Sequence, residues 1–216
     1  MHSAQLVGRG IMKDYFMELR KKLNNKNSSI KITSISILEC KMDYTFDLYE
    51  YGISNETKYI YNHYKKFILN WEENTKKLRG FVNFVPYERI LSEYKEMCEI
   101  AESMEDDLIE DQDIVINDLK NWYPIFKFPN GDAFCYDKRN GKIVFFEHEV
   151  FDTGVNLHGL VIADSIDSLM ENWSKILFVD IYDWYQGVDE HGIDLDKSIF
   201  EMILKINKDL CLEVTS

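Results

Sequence analysis

Between Trp122 and Glu149 three apolar runs are separated by two turn signals, Pro129-Asn130-Gly131-Asp132 and Asp137-Lys138-Arg139-Asn140-Gly141. Asn-Gly pairs flanked by β-branched and aromatic residues close hairpins. Glycine takes a positive φ without a Cβ penalty, and asparagine tolerates the left-handed region. The pattern predicts a three-stranded antiparallel meander. In its last strand Ile143, Val144, Phe145 and Phe146 are apolar at every position, so both faces of the sheet are expected to be covered, with helices as the cover. The stretch is the core of a domain, and by itself it names no reaction.

Upstream of the meander, residues 11–23 read as a short helix ending in Arg20-Lys21-Lys22, and residues 24–29 as a linker. Ile30-Lys31-Ile32-Thr33 fits a short strand or the lead-in to a helix capped by Thr33 or Ser34, and the favoured reading is a helix running to about Tyr51. Ile60, Tyr64, Phe67, Ile68 and Trp71 recur at helical spacing and predict an amphipathic helix. Residues 80–86 read as a strand or extended link, and Pro86 opens a helix through Leu91, Tyr94 and Met97. Downstream, residues 159–163 predict a buried strand. Asp164 or Ser165 is expected to cap a helix carrying Leu169, Trp173, Ile176 and Leu177 on one face. Residues 178–185 are ambiguous between helix and strand. Asp194 or Asp196 is expected to cap a last helix with Ile199, Phe200, Ile203 and Leu210. The organisation read from this is an N-terminal extension over residues 1–29 and a single domain over residues 30–216 with a C-terminal helical extension.

At 216 residues the chain suits one domain, and chains of this size bury roughly 70% of the surface exposed when unfolded. A hydrophobic share of 45%, with 14% aromatic residues, excludes the disordered class. No run approaches the roughly 18 consecutive apolar residues of a membrane span, and the start lacks the apolar region of an export signal. A cytoplasmic location without membrane association is expected. Cys40, Cys98, Cys135 and Cys211 form no C-x-x-C pair, which favours reduced thiols over a zinc site or disulfide framework.

The net charge of −13 is unevenly distributed: residues 1–80 carry 14 basic and 9 acidic residues, and residues 81–216 carry 11 and 29. Eight of the fifteen residues from Glu99 to Asp113 are acidic and none is basic, including Glu105, Asp106, Asp107, Glu110, Asp111 and Asp113. Asp189 and Glu190 lie in a second acidic loop. Such a surface repels nucleic acid and steers basic proteins toward it, unless it serves only as a solvated face. Glu147, His148, Glu149, Asp152, His158 and Asp164 form the densest set of acid, base or ligand groups. On a strand, however, His148 points away from Glu147 and Glu149, and no metal-binding spacing appears. No phosphate-cradling or nucleophile motif is present either, so no cofactor, metal or catalysis is expected.

The order of short motifs resembles the SUKH superfamily, which includes fungal cell-wall-assembly regulators and bacterial immunity proteins. The residues that carry it are Trp122-Tyr123-Pro124-Ile125, Asn130-Gly131-Asp132, Tyr136-Asp137, Gly141 through His148, and Ile162-Ala163-Asp164-Ser165-Ile166-Asp167-Ser168-Leu169. Ile166 stands where the family usually has Phe, and Ser54 stands where a Leu-Pro is customary. The resemblance covers about residues 33–178 and is strongest over 122–170. It implies an α+β fold, a single domain with a central, mostly antiparallel β-sheet wrapped by helices. It also implies a non-enzymatic protein-binding module whose bacterial members neutralise cognate polymorphic toxins, often nucleases. A basic toxin domain is then the expected partner, met by the acidic residues named above. Trp122, Pro124, Gly131, Asp132, Asp137 and Gly141 are expected to be structural, with the two aspartates bonding turn amides. The alternatives are a regulatory scaffold for an endogenous partner and an enzyme using Glu147, His148 and His158.

Overall fold

A computed structural model describes residues 14–24, 29–40, 55–75, 77–104, 117–148 and 156–213. Helix α1 (Tyr15–Leu23) is capped by Asp14, whose carboxylate accepts the Met17 N–H at 2.9 Å. Phe16, Leu19 and Leu23 share one face and are buried. Phe16 stacks on Phe67 with ring centroids 4.4 Å apart, so the helix expected within the N-terminal extension is built into the main core.

Strand β1 (Ile30–Glu39) occupies the first part of the stretch for which the sequence favoured a helix, whose remainder over 41–51 lies outside the described residues. Helix α2 (Asn55–His63) realises only the first part of the expected amphipathic helix, because the chain switches to strand β2 (Tyr64–Glu73) without an intervening glycine or proline. Both differences have one cause. Phe67, Leu69 and Trp71 are buried while Ile68 and Asn70 are half-buried, a period of two that the helical spacing of Phe67, Ile68 and Trp71 masked. Pairing partners decide between the two periods: Leu69 lies opposite Ile35 of β1 and Val82 of β3 (Arg79–Asn83), in a sheet ordered β1-β2-β3. Helix α3 (Tyr87–Met104) follows Pro86 as expected.

The expected meander is formed by β4 (Trp122–Lys127), β5 (Ala133–Asp137) and β6 (Ile143–Phe146). Gly131 and Gly141 take φ of +97° and +79°, the conformations their turns require. Pro124 sits at a register shift in β4, an outer strand of the sheet, where a missing N–H is tolerated. The sheet continues through β7 (Val161–Ala163), β8 (Val188–Asp189) and β9 (Gly192–Ile193) in the order β4-β5-β6-β7-β9-β8, antiparallel throughout. The fold is α+β.

Alternation along the meander sends side chains to two cores. Phe134, Ile143 and Phe145 join the main core beneath helix α4 (Ile166–Lys175), whose Trp173 packs edge-on to Phe134 at 4.9 Å. Trp122, Ala133, Cys135, Val144 and Phe146 face the other way, against Met97 of α3 and Leu119. All four residues of β6 are therefore buried, as the sequence requires. Ser165 caps α4 with a reciprocal capping box to Ser168.

The two sheets are joined where α4 ends. Leu177 and Phe178 adopt left-handed φ of 55° and 58° and are held from several directions. The Trp71 indole donates to the Leu177 carbonyl, and the Trp173 and Trp184 indoles both donate to the Val179 carbonyl, each at 2.8 Å. A Cβ on Gly80 would lie 2.2 Å from the Trp71 indole, so this crossing needs glycine. Residues 178–185 are neither a regular helix nor a strand; they contain short 3₁₀ turns at Ile181–Asp183 and Tyr185–Gly187. The last helix, α5 (Glu201–Glu213), is capped by neither aspartate. Asp194 instead accepts the Asp196 N–H at 3.1 Å, and a 3₁₀ turn at Ser198–Phe200 leads into the helix.

Candidate protein-binding face

The second turn of the meander is clamped on both sides. Asp137 is 2% exposed, and its carboxylate accepts the Arg139 backbone N–H at 2.9 Å and the Arg139 guanidinium at 2.6 to 3.0 Å. Burial opposes ionisation of Asp137, but the hydrogen bonds from Arg139, with the Trp122 indole nearby, outweigh it and hold the carboxyl below its ordinary value. Arg139 also reaches Asp118 at 2.7 Å, and the Lys138 ammonium donates to the Lys120 carbonyl at 2.9 Å while lying over the Tyr94 ring. Asp118 belongs to a helical turn at 117–119, where the chain returns from the acidic run.

On the other side Lys142 pairs with Asp164 at 3.0 Å and donates to the Glu190 carbonyl at 3.3 Å. His191 approaches the same Asp164 carboxylate at 3.1 Å. The hydrogen bond from Lys142, followed by that from His191, lowers the Asp164 pKa below its ordinary value. The basic side chains of this turn thus hold oxygen acceptors of the chain itself. Residues 137–142 lie between the start of the 117–119 turn and the Asp189-Glu190 loop.

Beside the clamp, the His158 side chain is 5% exposed, with its ring 4.8 Å from Trp122 and 5.9 Å from Phe146. Burial lowers its pKa, with Asp118 at 3.6 Å pulling the other way. Both imidazole nitrogens and the Trp122 indole nitrogen are buried and make no close hydrogen bond, with Asp118 the acceptor nearest the His158 ring and Asp137 beside the Trp122 indole.

The predicted site residues fare differently. Glu105, Asp106, Asp107, Glu110, Asp111 and Asp113 lie outside the described residues. Asp189 accepts the His191 N–H at 2.7 Å and shapes its own loop, whereas the Glu190 side chain is 88% exposed. Asp137 bonds its own turn amide as expected, but Asp132 does not. Asp132 accepts the His148 N–H at 2.8 Å, the Tyr182 hydroxyl at 2.7 Å and the Asn130 amide at 2.5 Å, tying the first turn to the end of β6 and to the 3₁₀ segment. Glu147 accepts the Leu157 N–H at 2.8 Å and His148 is exposed. Among the described residues no three His, Cys, Asp or Glu side chains assemble as a metal-binding group, and no helix is long and apolar enough to cross a membrane. The four cysteines are free thiols, and burial raises the pKa of Cys135.

Sequence reading missed a groove of about 360 Å³ beside the joint between the sheets, lined by Asn70, Trp71, Arg79, Asn130, Asp180 and Tyr182. Burial raises the pKa of Asp180, with Arg79 at 3.3 Å opposing it. The available signal was the acid and aromatic mixture of residues 178–185, whose period fits neither helix nor strand.

No family model, no curated protein and no solved structure matches this chain. Its functional reading therefore rests on the residues and on this geometry.

Proposed function

We propose that this chain is a non-enzymatic immunity protein of the SUKH type, acting in the cytoplasm, where it binds and neutralises a basic toxin domain, with a nuclease as the favoured class. One observation carries the reading. The second meander turn, a motif position of the resemblance, has its Asp137, Arg139 and Lys142 consumed in internal clamps that reach Asp118, Asp164 and the Glu190 carbonyl. A surface whose cations are engaged internally and whose Glu190 side chain projects into solvent suits a partner that presents a nucleic-acid-binding cleft. Acidic residues there occupy the place of phosphates and speed the encounter. In the sequence, residues 105–113 carry six further acidic side chains.

The test is co-expression with the toxin encoded beside the gene, together with association kinetics on the purified pair. Rescue of growth and a tight complex are expected. Reversing Asp106, Asp107, Glu110 and Asp111 together is expected to lower the association rate about tenfold or more at low salt and to flatten its salt dependence. Absence of both binding and rescue overturns the proposal. Unchanged association kinetics in the reversed variant overturn the acidic face while leaving immunity standing.

A further inference from the structure

The groove of about 360 Å³ beside the joint between the sheets is built from three segments that meet only in the folded chain. One side is a cross-strand row in the β2–β3 ladder, where Asn70 lies opposite Phe81 and Glu72 opposite Arg79. A second side is Asp180 with Tyr182, fixed to β3 because the Asp180 N–H donates to the Arg79 carbonyl at 3.0 Å. The third is the first meander turn from Phe128 to Asn130, with the Phe128 ring 6.2 Å from that of Phe81. The groove lies at the opposite end of β5 from the clamped second turn.

The polar groups it offers are mostly acceptors. The Asp180 side chain is 18% exposed and meets one Arg79 nitrogen at 3.3 Å. The Tyr182 hydroxyl gives its proton to Asp132 at 2.7 Å, so its remaining capacity is to accept. The Asn130 amide also donates to Asp132. The Asn70 amide oxygen is buried without a hydrogen-bond partner, and the soft χ2 torsion of asparagine allows it to turn toward a donor in the groove. Charge points the same way. Two cations, Arg79 and the Lys31 that faces Glu72 from β1, stand against Glu72, Asp132, Asp180 and Asp183. Burial first, and then Asp132 acting on Asp180 and Asp180 acting on Asp183, raise both of those pKa values although Arg79 opposes the shift. These carboxylates are short of positive charge.

We infer that this groove seats an arginine side chain presented by a protein partner. A guanidinium carries five N–H donors and no acceptor, stacks on aromatic faces and sheds water more readily than an ammonium. Acceptor-rich walls beside Tyr182, which is 40% exposed, match that inventory. An anion would meet carboxylates around Arg79, and an apolar group would leave the acceptors desolvated and unpaired. The Arg79 side chain is 71% exposed, so it competes for Asp180 without filling the groove. The seat is separate from the acidic segments, and the inference does not rest on the partner being a toxin.

Titration of the isotope-labelled full chain with N-acetyl-arginine amide, followed by amide chemical shifts, tests the inference. Saturable shifts at millimolar ligand are expected at Gly80, Asn130, Asp180 and Tyr182. The lysine analogue is expected to bind several-fold more weakly and the neutral, isosteric citrulline analogue not to bind. Asp180→Asn keeps the acceptor for the Tyr182 N–H and is expected to weaken arginine binding about tenfold or more, the loss of one charge-assisted hydrogen bond. Arg79→Gln, at an exposed position, removes the competitor and is expected to tighten binding several-fold. Absence of saturable shifts at the groove overturns the inference, as does equal binding of the arginine and citrulline analogues. Arginine binding that Arg79→Gln leaves unchanged or weakens also overturns it. Each of these failures leaves the immunity reading standing, because that reading is decided by toxin binding and rescue.

Discussion

The two faces of the six-stranded sheet are built on different terms. On one face Phe134 and Phe145 meet Trp173, Phe128 and Trp184 in a dense aromatic cluster, and the buried Trp173 and Trp184 indoles each reach a carbonyl. On the other face, among the described residues, seven buried side chains form a small cluster. Beside it lie the buried Asp137, the shielded His158 and a Trp122 indole that makes no close hydrogen bond. Hydrophobic stabilisation scales with apolar area removed from water, so the first face supplies most of the stability. Unmatched polar groups in low dielectric cost stability, so the second face is softer and responds to pH. The second meander turn, with Asp137 paired opposite Trp122, belongs to this softer face.

Truncation tests this division most strongly. Trp173→Ala is expected to cost about 5 kcal/mol and Trp122→Ala about 3 kcal/mol, the two ends of the range for buried aromatic truncations. Urea unfolding measures both, and equal losses would break the comparison. Next in size, Asp137→Ala is expected to cost about 2 kcal/mol, because it removes charge-assisted bonds that hold the second turn; Asp137→Asn, which keeps the acceptor for the Arg139 amide, should cost less.

The pH dependence sharpens the contrast further. The His158 pKa is lower in the folded chain than the ordinary 6.5, so the unfolded chain binds more protons in between. Stability from this group is present above pH 6.5 and is lost as pH falls through the folded value. Asp137, held below the ordinary 3.8, adds a second loss as pH falls below that value through its own folded pKa. Urea midpoints across this range are expected to show both, and His158→Phe to remove only the first. The smallest expected effect on stability is that of Glu190→Lys, about 0.5 kcal/mol or less, since the side chain projects into solvent. The same change should slow association with a basic toxin domain a few-fold at low salt and not at high salt.

How much of this was legible depended on how local each cause is. The meander could be read because Asn130-Gly131 and Asn140-Gly141 carry their own backbone instructions, and β6 because four consecutive apolar residues need two covers. Strand β2 could not be read, since Phe67, Ile68 and Trp71 satisfy a helix while Phe67, Leu69 and Trp71 satisfy a strand. The candidate face was half legible. Acidic runs show in composition, but Lys142 meets Glu190 across 48 residues and Arg139 meets Asp118 across 21. The bonds from Asp132 to His148 and Tyr182 were hidden for the same reason.

By itself the sequence determined the turns, the alternation of the meander, the start of α3 after Pro86, a helix cap at Asp164 or Ser165 and the charge imbalance, because each follows from side-chain chemistry acting within a few residues. Tertiary structure alone decided that residues 30–39 and 64–73 are strands, that two sheets meet at Leu177 and Phe178, and that the second turn is tied to Asp118 and to the Glu190 carbonyl. The physical reason is that β1, β2 and the ion pairs of Arg139 with Asp118 and of Lys142 with Asp164 depend on partners distant in sequence.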